Sequence, residues 1–267
     1  MKGEYHISEL YIYPIKSFAG IEIQEAEITD RGFQYDRRWM LIDNNGRFLS
    51  QREYVELCFF QPVIKSNGLE VYHKKYPSQK IFIPFEYNSE NQDVVIWDDT
   101  CQANTVSENI NTFFSDLLKQ EVKLVYMADN SHRLIDTKYA KEGELTSFSD
   151  GYPFLLIGQS SLNDLNKKTS ESIPMNRFRP NIVFTGGEAF IEDTWKDFSI
   201  TNILFTCAKP CARCVVTTIN QETGEKGKEP LVTLNQYRKQ NNKILFGQNI
   251  IHHGLGKIKL GDQLIVQ

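Results

Sequence analysis

Segments in which apolar and polar residues alternate fill most of the first hundred residues. In HISELYIYPI the apolar positions Ile7, Leu10 and Ile12 follow the two-residue period of a strand with one slip, and Ile15 stands after a second one. In GIEIQEAEI the period holds for Ile21 and Ile23 and shifts by one residue before Ile28. Further apolar segments, separated by turn signals such as NNG and NG, are WMLID, LCFFQPVI, LEVYH, KIFIPF and DVVIW. Many short strands at even spacing predict a β-barrel or a β-sandwich.

A different period marks three helices. Apolar residues three and four positions apart predict a helix over 107–119, with Ser107 as its N-cap. A second helix is expected over 160–168, and a short third one starts at Pro230, since proline suits the first turn of a helix. The polar stretch 128–149 is expected to be a linker or a long loop. The remaining apolar segments predict strands: VKLVYM, NIVFT, FSITNILFT, CVVTTI, KILFGQNII and IKLGDQLIVQ. The expected fold class is therefore mostly β (α+β), with few helices.

Length and charge narrow the classes of function. The 267 residues allow one large domain or two small ones, and 30 basic against 34 acidic residues give a net charge of −4. A mildly acidic chain argues against a nucleic acid as the main partner, but it leaves room for a local basic pocket for one small phosphate. No apolar run of about 18 residues occurs, and the first ten residues lack the apolar core of a signal peptide. We therefore expect a cytoplasmic protein with no membrane partner.

Three of the five cysteines, Cys207, Cys211 and Cys214, stand within the eight residues CAKPCARC. An odd number of cysteines in a chain of this size does not indicate a disulfide framework. The adjacent Arg213 and the threonines of the next segment form a polar, cationic surrounding that favours a thiolate at Cys214. A soft thiolate suits a soft or high-valent metal centre that carries sulfur ligands.

Four other interpretations of the cysteine cluster stay open at this point. The spacing Cys-x3-Cys-x2-Cys also occurs in radical-SAM enzymes, although little chain follows Cys214 for their barrel. A thioredoxin-type Cys-x-x-Cys needs a helix N-terminus, whereas VVTTI predicts a strand. A structural zinc site needs four ligands, and the sequence has no second Cys-x-x-Cys or Cys-x-x-His pair. The plainest alternative is three cysteines packed as small apolar side chains.

Basic residues recur at three strand or loop ends, where they could form an anion site. They are, in chain order, Lys16 beside Ser17, Arg37 beside Arg38, and Arg177 near Arg179. On a strand Arg37 and Arg38 would point to opposite faces, so at most one of them can serve a given pocket. Pro180 is expected to hold Arg179 in an extended backbone. Each pair taken alone is an ordinary surface charge, but their occurrence together with the cysteine cluster favours a common site.

Several segments in the same order resemble one family: YPIKSFAGI, DRGFQYDRRWMLID, FSDGYPFLLIG, FRPNIV, CARCVVTTINQETGEKGKEPLVTL and FGQN. The chain resembles MOSC-domain proteins (molybdenum cofactor sulfurase C-terminal) with an N-terminal MOSC β-barrel partner, and above all the mitochondrial amidoxime-reducing components and their bacterial relatives. The resemblance covers nearly the whole chain, and its most specific part is 210–234. It implies a MOSC β-barrel packed with an N-terminal β-barrel-like domain, which we expect to divide at 1–125 and 126–267.

The resemblance also implies a molybdenum cofactor, in which molybdenum is bound to a pterin dithiolene with a terminal phosphate. Cys214 would be the metal ligand and a catalytic residue, and it is expected where a strand begins, with Cys211 on a looser turn before it. Lys16, Arg37 and Arg179 would converge on the phosphate, because an anion offsets the repulsion among three cations. The full set of implied cofactor contacts is Lys16, Ser17, Arg37, Gly151, Tyr152, Arg179, Asn181, Ala212, Arg213 and Asn249. Pyridoxal phosphate is kept as an alternative cofactor, although no Schiff-base lysine is evident.

The function that the resemblance implies is the reduction of N-hydroxylated small molecules such as amidoximes. Electrons would come from a separate electron-transfer protein of the ferredoxin, flavodoxin or cytochrome type. Glu188, in the GGEAF loop after NIVFT, is a second candidate catalytic residue, as a polar group near the substrate. The alternative is a non-redox protein that carries sulfur as a persulfide on Cys214 or that binds the cofactor without turnover.

Overall fold

The computed structural model describes residues 4–86 and 90–267. Within these ranges the α-helices are α1 (Glu108–Leu118), α2 (Gln159–Asn166) and α3 (Leu231–Tyr237). Short 3-10 helices span Val55–Phe59, Met175–Arg177, Ile191–Thr194 and Val215–Thr218. The strands of the N-terminal half are β1 (Tyr5–Ile12), β2 (Ile21–Ile23), β3 (Glu25–Thr29), β4 (Gly32–Phe33), β5 (Trp39–Ile42), β6 (Phe60–Lys65), β7 (Gly68–His73), β8 (Tyr76–Pro84), β9 (Asn91–Ile96), β10 (Asp99–Thr105) and β11 (Lys123–Tyr126). Those of the C-terminal half are β12 (Phe154–Gly158), β13 (Ile182–Thr185), β14 (Asp197–Ile200), β15 (Ile203–Ala212), β16 (Lys239–Gln240), β17 (Lys243–His252), β18 (Gly256–Lys259) and β19 (Gln263–Val266).

Seven strands close into a barrel in the order β12–β13–β1–β19–β14–β15–β17, and β17 pairs back with β12. Neighbouring strands are antiparallel except β12 and β13, which are parallel. Closure removes the unpaired edges that an open sheet would present. The predicted fold class, a mostly β protein with a barrel and few helices, is confirmed.

Alternate side chains of the barrel strands face its interior. On β13, Ile182 and Phe184 belong to the interior cluster, whereas Val183 between them packs with Leu162 of α2 and Leu234 of α3. β12 alternates in the same way. The two-residue period therefore decides which side chains fill the barrel and which ones hold the covering helices.

β1 brings the beginning of the chain into a barrel that otherwise consists of the C-terminal half. It pairs with β13 on one side and with β19 on the other. The slip in its alternation is a β-bulge between Ile7 and Glu9, so that Ile7, Leu10 and Ile12 are all buried in the barrel interior. The division at 1–125 and 126–267 stays a prediction, and the barrel takes strands from both parts.

The N-terminal half adds a four-stranded sheet (β5–β11–β10–β9) and a three-stranded sheet (β6–β7–β8), and β18 pairs with β3 and β4 in a third small sheet. Helix α1 packs Phe114 against Phe18 and Phe60, with ring centroids 5.5 and 5.4 Å apart. Phe18 and Phe60 stack on each other at 4.9 Å. Because Phe18 directly follows Lys16 and Ser17, this packing fixes the segment that carries them.

The three predicted helices are present with slightly shifted ends. Ser107 precedes α1, and its backbone carbonyl accepts hydrogen bonds from Ile110 and Asn111, but its hydroxyl makes no cap hydrogen bond. Helix α3 follows Pro230 as expected. Residues 128–149, all of them described, form a long loop without a helix or an extended strand. No helix within 4–86 and 90–267 has the length and apolar character needed to cross a bilayer.

The strand predicted for CVVTTI is wrong. Strand β15 ends at Ala212, and Val215–Thr218 is a 3-10 helix. The hydroxyl of Thr217 donates to the carbonyl of Cys214 at 2.9 Å, and that of Thr218 donates to the carbonyl of Val215 at 2.8 Å. Such local hydrogen bonds compete with a sheet, and here they override the β-propensity of the threonines and valines.

A fragment of residues 126–267 is expected to lack a stable barrel, because β1 is then missing between β13 and β19. Burial of Ile7, Leu10 and Ile12 contributes about 1.5–3 kcal/mol each, and their sum approaches the whole stability of many domains. Heating should give no cooperative loss of the near-UV circular dichroism. The same fragment preceded by residues 4–29 and a flexible Gly/Ser linker should regain a cooperative transition, and a cooperative melt of the shorter fragment would contradict the prediction.

Candidate functional site

A cavity of about 310 Å³ lies between the barrel and the N-terminal sheets. Its walls come from the loop after β1, the segments before β5 and β13, the stretch 48–52, the loop before β12, the end of β15 and the middle of β17. Lining residues include Cys214 and the ten predicted cofactor contacts, namely Lys16, Ser17, Arg37, Gly151, Tyr152, Arg179, Asn181, Ala212, Arg213 and Asn249. The structure thus gathers residues that are far apart in sequence, while their roles stay predictions.

The cavity carries a large excess of positive charge. Of the described residues that line it, the cations are Lys16, Arg37, Arg52, Arg179, Lys209 and Arg213, and the one anion is Asp150. Clustered cations repel one another and attract anions. An arrangement of this kind is suited to a phosphate or another multiply charged anion, held by charge-assisted hydrogen bonds.

The ring of Tyr13 supports two of the arginines. The guanidinium carbons of Arg37 and Arg179 lie 4.3 and 4.2 Å from its centroid. Beneath them the buried carboxylate of Asp36 accepts hydrogen bonds from the Tyr13 amide at 2.7 Å and from Arg37 Nη1 at 2.5 Å. Burial raises the pKa of Asp36, and Arg37 partly offsets this effect. Burial also lowers the pKa of Arg179 to about 10, although this still leaves it charged at neutral pH.

Three of the cavity residues hold a backbone conformation that their side chains disfavour. The φ angles of Ser17, Arg37 and Arg179 are 70°, 49° and 55°, in the left-handed region. Each such residue costs about 1–3 kcal/mol unless its surroundings enforce the conformation. Strain of this kind gathers at functional sites, and its presence at three points of one cavity supports a functional role for that cavity.

The extended backbone expected at Arg179 is wrong. Its amide donates to the carbonyl of Asn176 at 3.2 Å, which continues the turn of the preceding 3-10 helix. Its guanidinium Nη1 then donates to the carbonyl of Phe18 at 2.7 Å. The left-handed turn therefore directs Arg179 toward the segment that carries Lys16 and Ser17.

Lys16 and Asp150 form an ion pair inside the cavity. Lys16 is buried, and its Nζ donates to Asp150 Oδ1 at 2.6 Å and to the carbonyl of Phe148 at 2.8 Å. Burial lowers the pKa of Lys16 to about 8, although Asp150 acts in the opposite direction. The side chain of Asp150 is exposed, and the Lys16 ammonium holds its pKa well below its usual range. Asp150 thus supplies a counter-charge that an incoming anion has to displace.

Arg38 and Arg177, the neighbours of Arg37 and Arg179, turn away from the cavity. Arg38 donates to the carbonyl of Met127, and Arg177 donates to the carbonyl of Thr217 at 2.7 Å. Arg37 and Arg38 diverge as predicted, but both precede β5 instead of lying on a strand. Arg177 braces the turn that follows the cysteine cluster.

Cys214 does not lie where a strand begins, which corrects the sequence-based expectation. Strand β15 ends at Ala212, the amide of Arg213 donates to the carbonyl of Ile244 at 2.7 Å, and Cys214 starts the 3-10 turn. The carbonyl of Cys214 accepts hydrogen bonds from both the amide and the hydroxyl of Thr217, at 3.1 and 2.9 Å. These bonds fix the backbone at Cys214 even though no sheet extends beyond it.

Two arginines contact the sulfur atoms of the cavity. Arg52 Nη2 lies 3.3 Å from Cys214 Sγ, and Arg213 Nη1 lies 3.0 Å from Cys211 Sγ. Arg213, the neighbour of Cys214 in sequence, therefore serves the other cysteine. Arg52 is held against the ring of Trp97, with its guanidinium carbon 4.5 Å from the centroid.

The three clustered cysteines have different surroundings. Cys211 lies on β15, not on a loose turn as expected, and lines the cavity together with Cys214. Cys207 packs against the barrel interior, and burial raises its pKa to about 12, which keeps its thiol neutral. In the ranges that the structure covers, no three His, Cys, Asp or Glu side chains are grouped so as to hold a metal ion.

The two predicted asparagines are bound within the protein. Asn181 Oδ1 accepts from Arg37 Nη1 at 3.0 Å and from the Leu155 amide at 3.3 Å, and its Nδ2 donates to the carbonyl of Tyr11 at 3.2 Å. Asn249 Nδ2 donates to a carbonyl of β15 at 3.4 Å. Asn181 therefore positions Arg37 in addition to lining the cavity.

Glu188 does not line the cavity, and its role near the substrate stays a prediction. Strand β13 starts beside the cavity, just after Asn181, and runs away from it, so the GGEAF loop emerges at the other end of the barrel. There Gly186 packs against the carbonyl of Glu4, at the end of the barrel where β1 begins. Glu188 itself is exposed.

Sequence reasoning missed Tyr13, Arg52 and Lys209, which support or line the cavity. Tyr13 opens YPIKS and Lys209 lies within the cysteine cluster, so both stand beside motifs that sequence reasoning singles out. Arg52 has no comparable signal, because the cysteine that it contacts is 162 positions away in the chain.

Two family models match successive parts of the chain. The MOSC N-terminal beta barrel domain matches residues 4–121, and the MOSC domain matches residues 144–265. The chain belongs to the MOSC-domain family. In this MOSC protein the cavity takes residues from both matched regions, with Lys16 and Arg37 from the first and Arg179 and Cys214 from the second.

Curated relatives of the MOSC protein differ in length. Mitochondrial amidoxime reducing component 2 of Rattus norvegicus is 30% identical, over 96% of this chain and 81% of its own length. Mitochondrial amidoxime-reducing component 1 of Homo sapiens is 28% identical over the same shares. Molybdenum cofactor sulfurase of Homo sapiens is 29% identical over 95% of this chain, which spans 30% of that longer protein. The chain therefore spans under a third of the sulfurase and most of the two amidoxime-reducing components.

Sulfate binding to the cavity is expected to weaken above pH 8, because Lys16 has a pKa of about 8 and loses its positive charge there. Sulfate keeps its two negative charges between pH 7 and pH 9. Because binding needs the protonated form of Lys16, the loss of this proton should raise the Kd of sulfate about tenfold over that range. Isothermal titration calorimetry measures this change. The control variant Lys16→Met should bind sulfate weakly at both pH values, and an unchanged pH dependence in that variant would assign the effect to another group.

Proposed function

We propose that this protein is a molybdenum-cofactor-dependent oxidoreductase that reduces N-hydroxylated compounds, with electrons from a separate donor protein. The observation that carries the proposal is the cavity itself, in which a cation cluster and the Cys214 thiol share about 310 Å³. A cytoplasmic location is part of the proposal, as is a donor of the ferredoxin, flavodoxin or cytochrome type.

The residues present fit a molybdenum cofactor on three counts. Lys16, Arg37 and Arg179 offer the charge-assisted donors that a pterin phosphate needs. Arg213 Nε is buried and has no hydrogen-bond partner among the described residues, so it is left for a ligand atom. Cys214 offers a soft sulfur ligand at the same cavity. When bound, the cofactor supplies the two-electron chemistry that reduces an N–O bond.

The protein's own residues bind and orient in this proposal. Asp36 and Asn181 hold Arg37 from two sides, which presents its guanidinium to an anion in a fixed direction. The hydrogen bonds of Thr217 fix the backbone of Cys214, and Arg177 braces the turn from behind. A ligand held on such a rigid support loses little conformational freedom on binding.

The relatives support the reductase more than a whole sulfurase. The rat amidoxime reducing component is covered over 81% of its length, whereas the human sulfurase is covered over 30%. We therefore propose N-reductive activity by similarity to proteins that this chain matches over most of their length.

A sulfur carrier is the second candidate function. Sulfurases are among the relatives, and Arg52 Nη2 lies 3.3 Å from Cys214 Sγ, where its charge would also stabilise a persulfide anion. In that case Cys214 would carry a labile sulfur and the protein would contain no molybdenum.

Protein made in a host that synthesises the molybdenum cofactor is expected to contain about one molybdenum atom per chain. It should reduce benzamidoxime with reduced methyl viologen and should not do so with NADPH alone, since the sequence contains no dinucleotide-binding fingerprint. Metal analysis and a chromatographic assay of benzamidine measure the two outcomes. A protein loaded with molybdenum that is inactive with viologen on several N-hydroxy compounds would favour the carrier.

Cys214→Ser is expected to lower the molybdenum content at least about tenfold, because a hard, mostly protonated hydroxyl replaces a soft thiolate at nearly constant volume. The matched control is Cys211→Ser, which changes the neighbouring cavity cysteine and should keep most of the metal and activity. Metal content and viologen-coupled turnover are compared with wild type. Equal loss of metal in both variants would indicate a two-cysteine site instead.

A further inference from the structure

Lys209 is the cavity cation with the least usual surroundings. It lies on β15, between two irregularities in the pairing of that strand with β17, and its side chain is half-buried. Its Nζ lies 4.7 Å from the ring centroid of Tyr139 and 4.9 Å from that of Tyr152. The two rings are 6.2 Å apart and nearly perpendicular, so they form two walls around the ammonium group.

The other cavity cations already have acceptors within the protein. Lys16 donates to Asp150, Arg37 to Asp36, Arg179 to the carbonyl of Phe18, Arg213 to the carbonyl of Phe178, and Arg52 contacts Cys214. Lys209 Nζ, in contrast, makes no hydrogen bond or ion pair with any residue of 4–86 or 90–267. An ammonium group has three N–H donors, and ring faces attract its charge without accepting strong hydrogen bonds from all three. The two rings therefore hold the ammonium group of Lys209 in place and leave N–H donors for a ligand.

Lys209 lies on the strand that leads to the two cysteines of the cavity. It stands two residues before Cys211 and five before Cys214, so it lies on the segment that leads to the proposed metal ligand. Arg37 and Arg179 are instead tied to the segment after β1 through Tyr13 and Phe18, and Lys16 on that segment donates to the carbonyl of Phe148 in the loop before β12. Among the described residues, Lys209 shares no hydrogen-bond partner and no ring with Lys16, Arg37 or Arg179, so it is not part of the cluster proposed for the phosphate.

We propose that Lys209 is the substrate-recognising cation of this cavity and that the preferred substrates are N-hydroxylated compounds that carry a carboxylate. The inference rests on the proposed reductase function for the nature of the substrate. Lys209 donates to the carboxylate, and the walls of Tyr139 and Tyr152 keep the ammonium group directed and partly shielded from water. A hydrogen bond to a charged group in such a setting is stronger than one in bulk water.

The test compares two probes that differ by one carboxylate, 4-carboxybenzamidoxime and benzamidoxime. Their Kd values are measured by titration calorimetry on the molybdenum-loaded protein, and their KM values by viologen-coupled reduction. In Lys209→Met, which keeps the length of the side chain and its contact with the rings, the preference for the carboxylate probe should fall about 10- to 100-fold. Lys209→Arg should retain much of that preference. Lys209→Gln replaces the methionine variant if the latter does not fold.

Lys138→Met is the matched control. Lys138 Nζ lies 5.4 Å from the ring centroid of the same Tyr139, but Lys138 does not line the cavity. The preference for the carboxylate probe should be the same in this variant as in wild type. Equal loss of preference in both variants would attribute the effect to the tyrosine wall and would overturn the inference.

The remaining outcomes separate the inference from the proposed function. If Lys209→Met loses molybdenum, Lys209 contacts the cofactor and the inference is wrong. If both probes are reduced with equal KM and the variant behaves like wild type, the reductase stands and the inference fails. If the carboxylate probe binds in a Lys209-dependent way but neither probe is reduced, the anion site stands and the reductase proposal fails.

Discussion

Repulsion among the cations of the cavity is the constraint on which the rest of the site depends. Positive groups placed so close together destabilise the fold unless neighbouring groups offset part of their charge. Asp36 is buried beside Arg37, Asp150 pairs with Lys16, and the ring of Tyr13 lies against two guanidinium groups. These partners come from separate segments, so the cation cluster forms only when the barrel and the N-terminal sheets are both in place. Full neutralisation is not reached, and the remaining charge gives the cavity its affinity for anions.

The same first strand closes the barrel and delivers the cation cluster. β1 fills the gap between β13 and β19, and the ring of the next residue, Tyr13, already supports Arg37 and Arg179 of the site. Backbone hydrogen bonds then tie this segment to the start of β5 and to the residues before it. The amide of Arg37 donates to the carbonyl of Tyr13, and the amide of Lys16 donates to the carbonyl of Trp39. A change that loosens the closure of the barrel therefore also loosens the geometry of the anion site. This coupling explains why the N-terminal segment, although remote in sequence, is inseparable from the C-terminal barrel.

The alternation of apolar and polar residues predicted most of the strands, because burial of one face of a sheet imposes it. Even the slip of this alternation in β1 corresponds to a β-bulge in the structure. The alternation failed where few side chains carry the pattern. β10 has the sequence DTCQANT, in which only Cys101 and Ala103 are fully buried, so hydrophobicity gives almost no signal. It also failed at Val215–Thr218, where hydroxyl groups satisfy the backbone locally. The resemblance to a family predicted residues that the cavity brings together, whereas Glu188, on the loop after β13, does not line it.

The backbone conformation of the site could not be predicted from the sequence, because it falls on residue types that rarely adopt it. Left-handed φ angles are expected at glycine and asparagine, and the hairpin turn before β17 does place Asn241 and Asn242 there, at 47° and 60°. Around the cavity the same conformation falls on Ser17, Arg37 and Arg179, for which it is costly. A turn that served only to reverse the chain would be more stable with glycine or asparagine. Arginine stands at two of these positions, so its charged side chain contributes more to the site than a residue that adopts the left-handed backbone easily would. These two arginines belong to the cation cluster on which the anion affinity depends.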